Sequence, residues 1–286
     1  MLPILLVHGI ARFDILIEKE RERLGLPDGA FDELNYFKGI KTHLEANGIG
    51  PVYHTNQNFS GPVRLRAAQL KDKVDEVLMK TEDQKVHLIA HSMGGLDSRL
   101  MIVDLGMADR VESLTTIATP HLGISLASRL IDNGGEFWIK VLENAIDLRG
   151  FEDLTREACA EFNARAEEAE ARNNVTYQVF SSQEQIERIF LPLVPSYLFL
   201  NKVDGDNDGL VPVRSQQWKH ELVASNGTRK AIGQMAFPFP ADHLNEVGWW
   251  DWQEAVNPLF GGAFSRQRDQ FESKVKDLYL RIARTL

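Results

Sequence analysis

The sequence predicts one α/β domain over residues 1–286. It is a compact, mostly parallel sheet of about six strands with helices on both faces and a helical lid or cap insertion at 124–172. Three observations carry this. Short apolar runs of strand length alternate with stretches in which apolar residues recur at helical spacing. The first of those runs is apolar at every position, as a strand covered on both faces must be. No repeat, low-complexity linker or shift in composition divides the chain.

Leu2-Pro3-Ile4-Leu5-Leu6-Val7 is that first strand, stopped by His8-Gly9. Tyr36 to Asn47 places Phe37, Ile40 and Leu44 at helical spacing, and Gly48 ends it. Pro51 to Thr55 is a weak second strand. Ala67, Leu70, Val74, Val77 and Leu78 mark an amphipathic helix. Val86 to Ala90 is the third strand, residues 95–105 are helical, and Val111 to Ala118 is the fourth strand. The alternation calls for right-handed crossovers. Between Pro120 and Asn174 there is no strand signal, only helical stretches such as Phe137 to Asp147 and the charged Thr155 to Arg172. Such a block reads as an insertion over one end of the sheet. Glu167, Glu168, Glu170 and Arg172 read as its solvated face. Val175 to Ser181 resumes the strands, Lys230 to Phe237 is the last of them, and Phe271, Val275, Leu278 and Ile282 stripe a packed terminal helix.

Composition narrows the function. Lys and Arg total 32 against 41 Asp and Glu, a net charge of −9 that repels phosphate backbones and argues against a nucleic-acid partner. Cys159 is the single cysteine, so an internal disulfide and a cysteine metal cluster are both excluded. The longest apolar stretch, Ile189 to Leu200, is about half of a membrane span and carries Pro192 and Pro195. The N-terminal strand lacks a basic start and a cleavage site. The chain as given therefore reads as cytoplasmic, or as exported without a cleaved signal. Oligomeric state is not legible.

Chemistry concentrates where the third strand meets a helix. Ala90-His91-Ser92-Met93-Gly94 has small residues two before and two after a serine, the pattern of a nucleophile elbow. The turn is so sharp that larger side chains would collide, and it lifts the hydroxyl above the strand ends. His8-Gly9-Ile10 ends the first strand at the same sheet edge. Its Ile10 N–H and the Met93 N–H are the candidate oxyanion donors, and His8 reads as a brace for the loop. For the base, His43, His54 and His87 fall on elements and His91 points away as the serine's neighbour. His121 and His220 remain as rivals, but the order serine, acid, histidine favours His243. The acid is assigned to Asp208 in Asp204-Gly205-Asp206-Asn207-Asp208-Gly209, with Asp206 and Asp204 as rivals and Asp242 too near His243 to orient it. This stretch imitates an EF-hand loop, but its twelfth position is Ser215 rather than Glu.

With these residues in place, the chain resembles the bacterial true lipases of the α/β-hydrolase fold, the family of the Pseudomonas, Burkholderia and Proteus triacylglycerol lipases. The resemblance runs through Leu5 to Ile10, Phe37 to Ile40, Leu88 to Leu96, Thr115 to Gly123, Asn207 to Val211 and Asp242 to Val247. It implies a serine ester hydrolase with Ser92, Asp208 and His243 as triad, Ile10 and Met93 as oxyanion donors, and 124–172 as lid over the acyl pocket. Phe137, Trp138, Ile139, Val141, Leu142 and Ile146 would supply the lid's apolar surface, with contact to a lipid–water interface. There are departures: Ala90 opens the elbow, Arg66-Ala67-Ala68-Gln69-Leu70 replaces R-G-x-Q-L, and 35 residues separate Asp208 from His243. Asn245 stands where the family has a calcium-ligating Asp, which argues against a calcium requirement and leaves no cofactor expected. Phospholipase, thioesterase or acyltransferase activity on the same triad is the alternative, followed by a non-catalytic lipid-binding module.

Overall fold

In a computed structural model of the chain, residues 1–9, 32, 35–58, 61–132, 151–249 and 263–286 are described. Six parallel strands form one sheet in the order β2-β1-β3-β4-β5-β8. They are β1 (Ile4–Val7), β2 (Val52–His54), β3 (Val86–His91), β4 (Val111–Ile117), β5 (Thr176–Ser181) and β8 (Gly233–Ala236). β1 lies between β2 and β3, with Leu6 opposite Ile89 and Val7 opposite Ala90. This register brings the end of β1 level with the end of β3. Sheet sides follow the strand period of two. Ile4, Leu6 and Ile89 face α1 (Ile40–Ala46) and the terminal helix α8 (Ala263–Ala283), whose Val275, Leu278, Tyr279 and Ile282 are buried there. Leu5, Val7, Leu88 and Ala90 face α2 (Val63–Thr81) and α3 (Gly94–Asp104). Each fully buried aliphatic side chain of these strands contributes about 1.5–3 kcal/mol.

Two expectations are corrected. The run Lys230 to Phe237 is not one strand. Its first part is β7 (Arg229–Ala231), which pairs antiparallel with β6 (Glu221–Val223), a strand without sequence signal; its second part is β8, on β5. The switch falls at Ile232, whose N–H donates to the His220 carbonyl and whose side chain enters the core. The other concerns α5 (Arg156–Arg172), capped by the Thr155 hydroxyl, which accepts the Ala158 N–H at 3.2 Å. Glu170 on this helix is fully buried, not solvated. Its oxygens accept from Arg99 Nε at 2.7 Å and Nη2 at 3.0 Å. The neighbouring Glu167 and Glu168 bind the hairpin, accepting the Val223 and Ser225 N–H groups.

Of the span 124–172, α4 (Ser125–Asp132) and α5 are described; the apolar residues Phe137 to Ile146 lie outside the described residues. The apolar Ile189 to Leu200 forms a short turn and most of α6 (Val194–Val203). A further short helix, α7 (Val213–Gln216), follows Pro212. No helix among the described residues is long and apolar enough to cross a membrane.

Candidate active site

The site stands at the carboxyl ends of β1, β3 and β5, where loops converge above the sheet. Ser92 follows β3 directly and has φ 55°, a left-handed conformation that strains a non-glycine residue by about 1–3 kcal/mol. The surroundings enforce it. A Cβ on Gly94 would stand 2.6 Å from the Val7 carbonyl oxygen, and one on Gly9 would stand 2.5 Å from the Ser92 Cβ. The first and third strand turns thus touch because both glycines are bare. Thr119, two residues beyond β4, donates its hydroxyl to the Ser92 carbonyl at 2.8 Å and closes the elbow from the other side.

His243 reaches this serine from a loop 151 residues away, with Nε2 2.9 Å from Ser92 Oγ and Nδ1 2.8 Å from Asp208 Oδ2. The carboxylate fixes the proton on Nδ1, so Nε2 presents its lone pair to the serine hydroxyl. Asp208 is itself held. Its Oδ1 accepts the Leu210 and Val211 N–H groups at 2.8 and 2.7 Å, and its Oδ2 accepts from Gln216 Nε2 at 3.2 Å. Its carbonyl also accepts the His243 N–H at 2.9 Å, tying the acid loop to the histidine loop. Of the other acids considered, Asp206 is exposed and the remaining two are engaged elsewhere. Asp204 pairs with Arg156 and Arg214 and accepts from Ser125. Asp242 accepts the N–H groups of Leu244 and Asn245 on one oxygen and of Phe190 on the other.

Met93 opens α3 next to Ser92; Ile10 lies outside the described residues. His8 braces its own turn as expected, with Nδ1 2.9 Å from the Gly9 oxygen; burial, with Arg66 nearby, lowers its pKa to about 3. His121 turns away from the serine: it bonds Thr116 and Arg99 and stacks on Trp218. His220 is exposed. Trp249 packs inward, its Nε1 donating to the Tyr36 carbonyl at 3.0 Å; Trp250 and Trp252 lie outside the described residues.

Three residues of the site were missed in the sequence. Arg66, fully buried on α2, donates to Asp97 at 2.9 Å, to the Asn58 carbonyl and to the His8 carbonyl at 2.8 Å, and so ties the β1 turn to α3. Its signal was a charge on the apolar stripe of an amphipathic helix. Burial raises the Asp97 carboxyl to about 6, opposed by that arginine. Glu246 is fully buried, 2.8 Å from His91 Nε2 and 3.7 Å from His243 Nδ1. Burial first, then the charges of Asp208 and Asp242, push its carboxyl well above the usual range. Its signal was an acid three residues after the base, on one side of a helical turn. Tyr36 is the third, its hydroxyl 2.7 Å from His91 Nδ1.

His91, His243 and Glu246 offer ligand atoms within 4.8 Å of one another; both ring nitrogens of each histidine and Glu246 Oε2 already serve the bonds described here. Where the resemblance puts a calcium ligand, Asn245 Oδ1 faces the Asp242 N–H at 3.4 Å, and Asp242 spends both oxygens on backbone N–H groups. These donors do not fit a cation that needs several free oxygens.

The family model described as "Putative serine esterase (DUF676)" matches residues 52–216. The chain is 29% identical over 231 residues to triacylglycerol lipase 2 of Saccharomyces cerevisiae, covering 76% of this chain and 63% of that protein. It is 36% identical over 134 residues to a triacylglycerol lipase of Burkholderia plantarii, covering 46% of this chain and 32% of that protein. The matched part is thus under two thirds of either relative's length. Among solved structures, the mature Bacillus licheniformis lipase BlEst2 superposes with TM-score 0.61 at 18% identity, over 85% of each chain. The metagenomic carboxyl esterase MGS0156 does so with TM-score 0.62 at 16% identity, over 99% of this chain and 74% of that one. The fold is that of the α/β hydrolases.

Proposed function

The chain belongs to the DUF676 serine esterase family, and on that premise we propose that it hydrolyses carboxylic esters through an acyl-enzyme on Ser92. The observation that carries the reading is His243 between Ser92 Oγ at 2.9 Å and Asp208 at 2.8 Å. His243 takes the serine proton as Oγ attacks the ester carbonyl, then gives it to the leaving alcohol. It next takes a proton from water, which attacks the acyl-enzyme, and returns that proton to Ser92 as the acid departs. Asp208 steadies the imidazolium through its bond to Nδ1. The N–H groups of Met93 and Ile10 are the oxyanion donors of this reading, one such donor being worth about 3–4 kcal/mol.

For the substrate we propose acyl esters of lipids, with the finer kinship to the Pseudomonas and Burkholderia lipases. Support comes from the relatives named triacylglycerol lipase and from the site's borders. Leu122, Leu191 and Leu198 are 42%, 55% and 52% exposed on segments next to the Ser92, Asp208 and His243 loops, apolar surface suited to passing contact with a lipid–water interface. Neither calcium nor another cofactor enters this mechanism.

The test compares wild type with Ser92→Ala on a short-chain nitrophenyl ester, a long-chain one and dispersed triglyceride. The variant is expected to lose at least about 10⁴-fold in rate. Turnover of the long ester and triglyceride by wild type supports a lipase, and turnover of the short ester alone an esterase with a narrow pocket. Activity surviving in Ser92→Ala overturns the nucleophile. A folded wild type inert on all three overturns the ester reading in favour of phospholipids, thioesters or plain lipid binding.

A further inference from the structure

Tyr36 sits outside the triad, yet it joins the two loops that the triad depends on. Its carbonyl accepts from Trp249 Nε1 at 3.0 Å, and the next N–H but one, on Lys38, donates to the Val247 carbonyl. The chain around Tyr36 is therefore pinned to the turn that follows His243. Its hydroxyl reaches the other way. A Cβ on Gly9 would lie 2.9 Å from the Tyr36 hydroxyl oxygen, so this oxygen lies against the β1 turn beside Ser92.

One set of directions satisfies all three hydrogen bonds. The bond between the Gly9 backbone and Tyr36 favours the phenolate, as an N–H donor does, so the Tyr36 oxygen accepts there. Its own proton then goes to His91 Nδ1, 2.7 Å away. Burial beside His243 keeps His91 neutral, with a single ring proton. That proton stands on Nε2 and is donated to Glu246 Oε2 at 2.8 Å.

We propose that Tyr36 is a positioning residue for the reaction: its hydroxyl, oriented by His91, fixes the Gly9 backbone against Ser92 and so holds the turn that packs on the nucleophile. This rests on the serine-hydrolase reading above. Tyr36 touches no reacting atom in this role; it acts through the Gly9 turn. Removing the hydroxyl lets the turn drift, and a displacement of a fraction of an ångström costs rate with little effect on substrate binding.

The experiment uses Tyr36→Phe in the full chain. We expect kcat to fall about 10- to 100-fold with KM within about twofold. Affinity for a trifluoromethyl ketone that mimics the tetrahedral oxyanion should fall in parallel with kcat/KM. A kcat within twofold of wild type overturns the proposal, as does a loss confined to KM or to the fraction folded. Should the variant fail to fold, ¹⁵N-histidine spectra of wild type decide: His91 protonated on Nε2 agrees, and on Nδ1 overturns the proposal. If wild type has no esterase activity, the functional reading fails; the spectra still report on the Tyr36–His91 bond.

Discussion

Two buried polar clusters flank the central strands, and they are built on opposite logic. In one, Arg99 pairs bidentately with Glu170 and lies between Trp218, 3.7 Å from its ring centre, and Phe162, 4.8 Å away. Charge meets charge there. In the other, Tyr36, His91, Glu246, His243 and Asp208 form a chain around which three carboxyls crowd, counting Asp242 beside Glu246. The ionisable groups of both clusters are buried. The paired one answers its charges internally and serves the fold. The unpaired one keeps a carboxyl with a raised pKa and a neutral histidine next to the nucleophile, the arrangement in which protons can move.

The contrast can be broken hardest at Glu170. Glu170→Ala leaves the Arg99 guanidinium buried without a counter-charge and is expected to cost about 3–5 kcal/mol in urea unfolding. The specific activity of the molecules that remain folded should be unchanged. Lost activity in that folded fraction would show that the Arg99 cluster also serves the site.

A smaller effect separates the clusters through pH. His91 in one and His121 in the other, with His8, are buried and hold pKa values below 6.5, so between that value and their folded pKa only the unfolded chain takes up their protons. Their stabilisation is complete above pH 6.5 and is lost as pH falls. Asp97, raised to about 6, and Glu246 act in the opposite sense: protonated in the fold, they favour it more as pH falls through their folded values. Three histidines against two acids leave a net loss of about 1–2 kcal/mol between pH 7 and pH 5. Urea midpoints across this range check the sign, and a rise toward pH 5 would show the acids dominating.

The smallest expected effect belongs to calcium. Adding a chelator should move the melting temperature by no more than about 1 °C, because Asp242 and Asn245 already bond protein groups. A drop of several degrees would place a cation beside His243.

Much of the fold was legible because it is local. The apolar run Ile4–Val7, the periodic α2 and the run Val86 to His91 each bury whole faces, so side-chain pattern and final environment agree. The same holds for Ser92, whose small flanking residues answer a steric demand of the turn itself. Strand β6 escaped notice since Glu221–Val223 is three residues long and only its pairing with β7 makes it a strand. The Glu-rich face of α5 misled for a related reason. A helical pattern shows which residues share a face, not that an arginine 71 positions earlier awaits one of them.

The sequence by itself determined the order of strands and helices, the elbow at Ser92, and the succession of serine, acid and histidine, all of which follow from spacing and from the sizes of adjacent residues. Only the tertiary structure decided which groups meet. Tyr36 finds His91 across 55 residues, and Glu246 finds it across 155, because the register of β1 on β3 and the path of the His243 loop bring them to one point. Whether a carboxyl there is charged depends on the water and counter-charges that folding removes or supplies, and no local pattern encodes those.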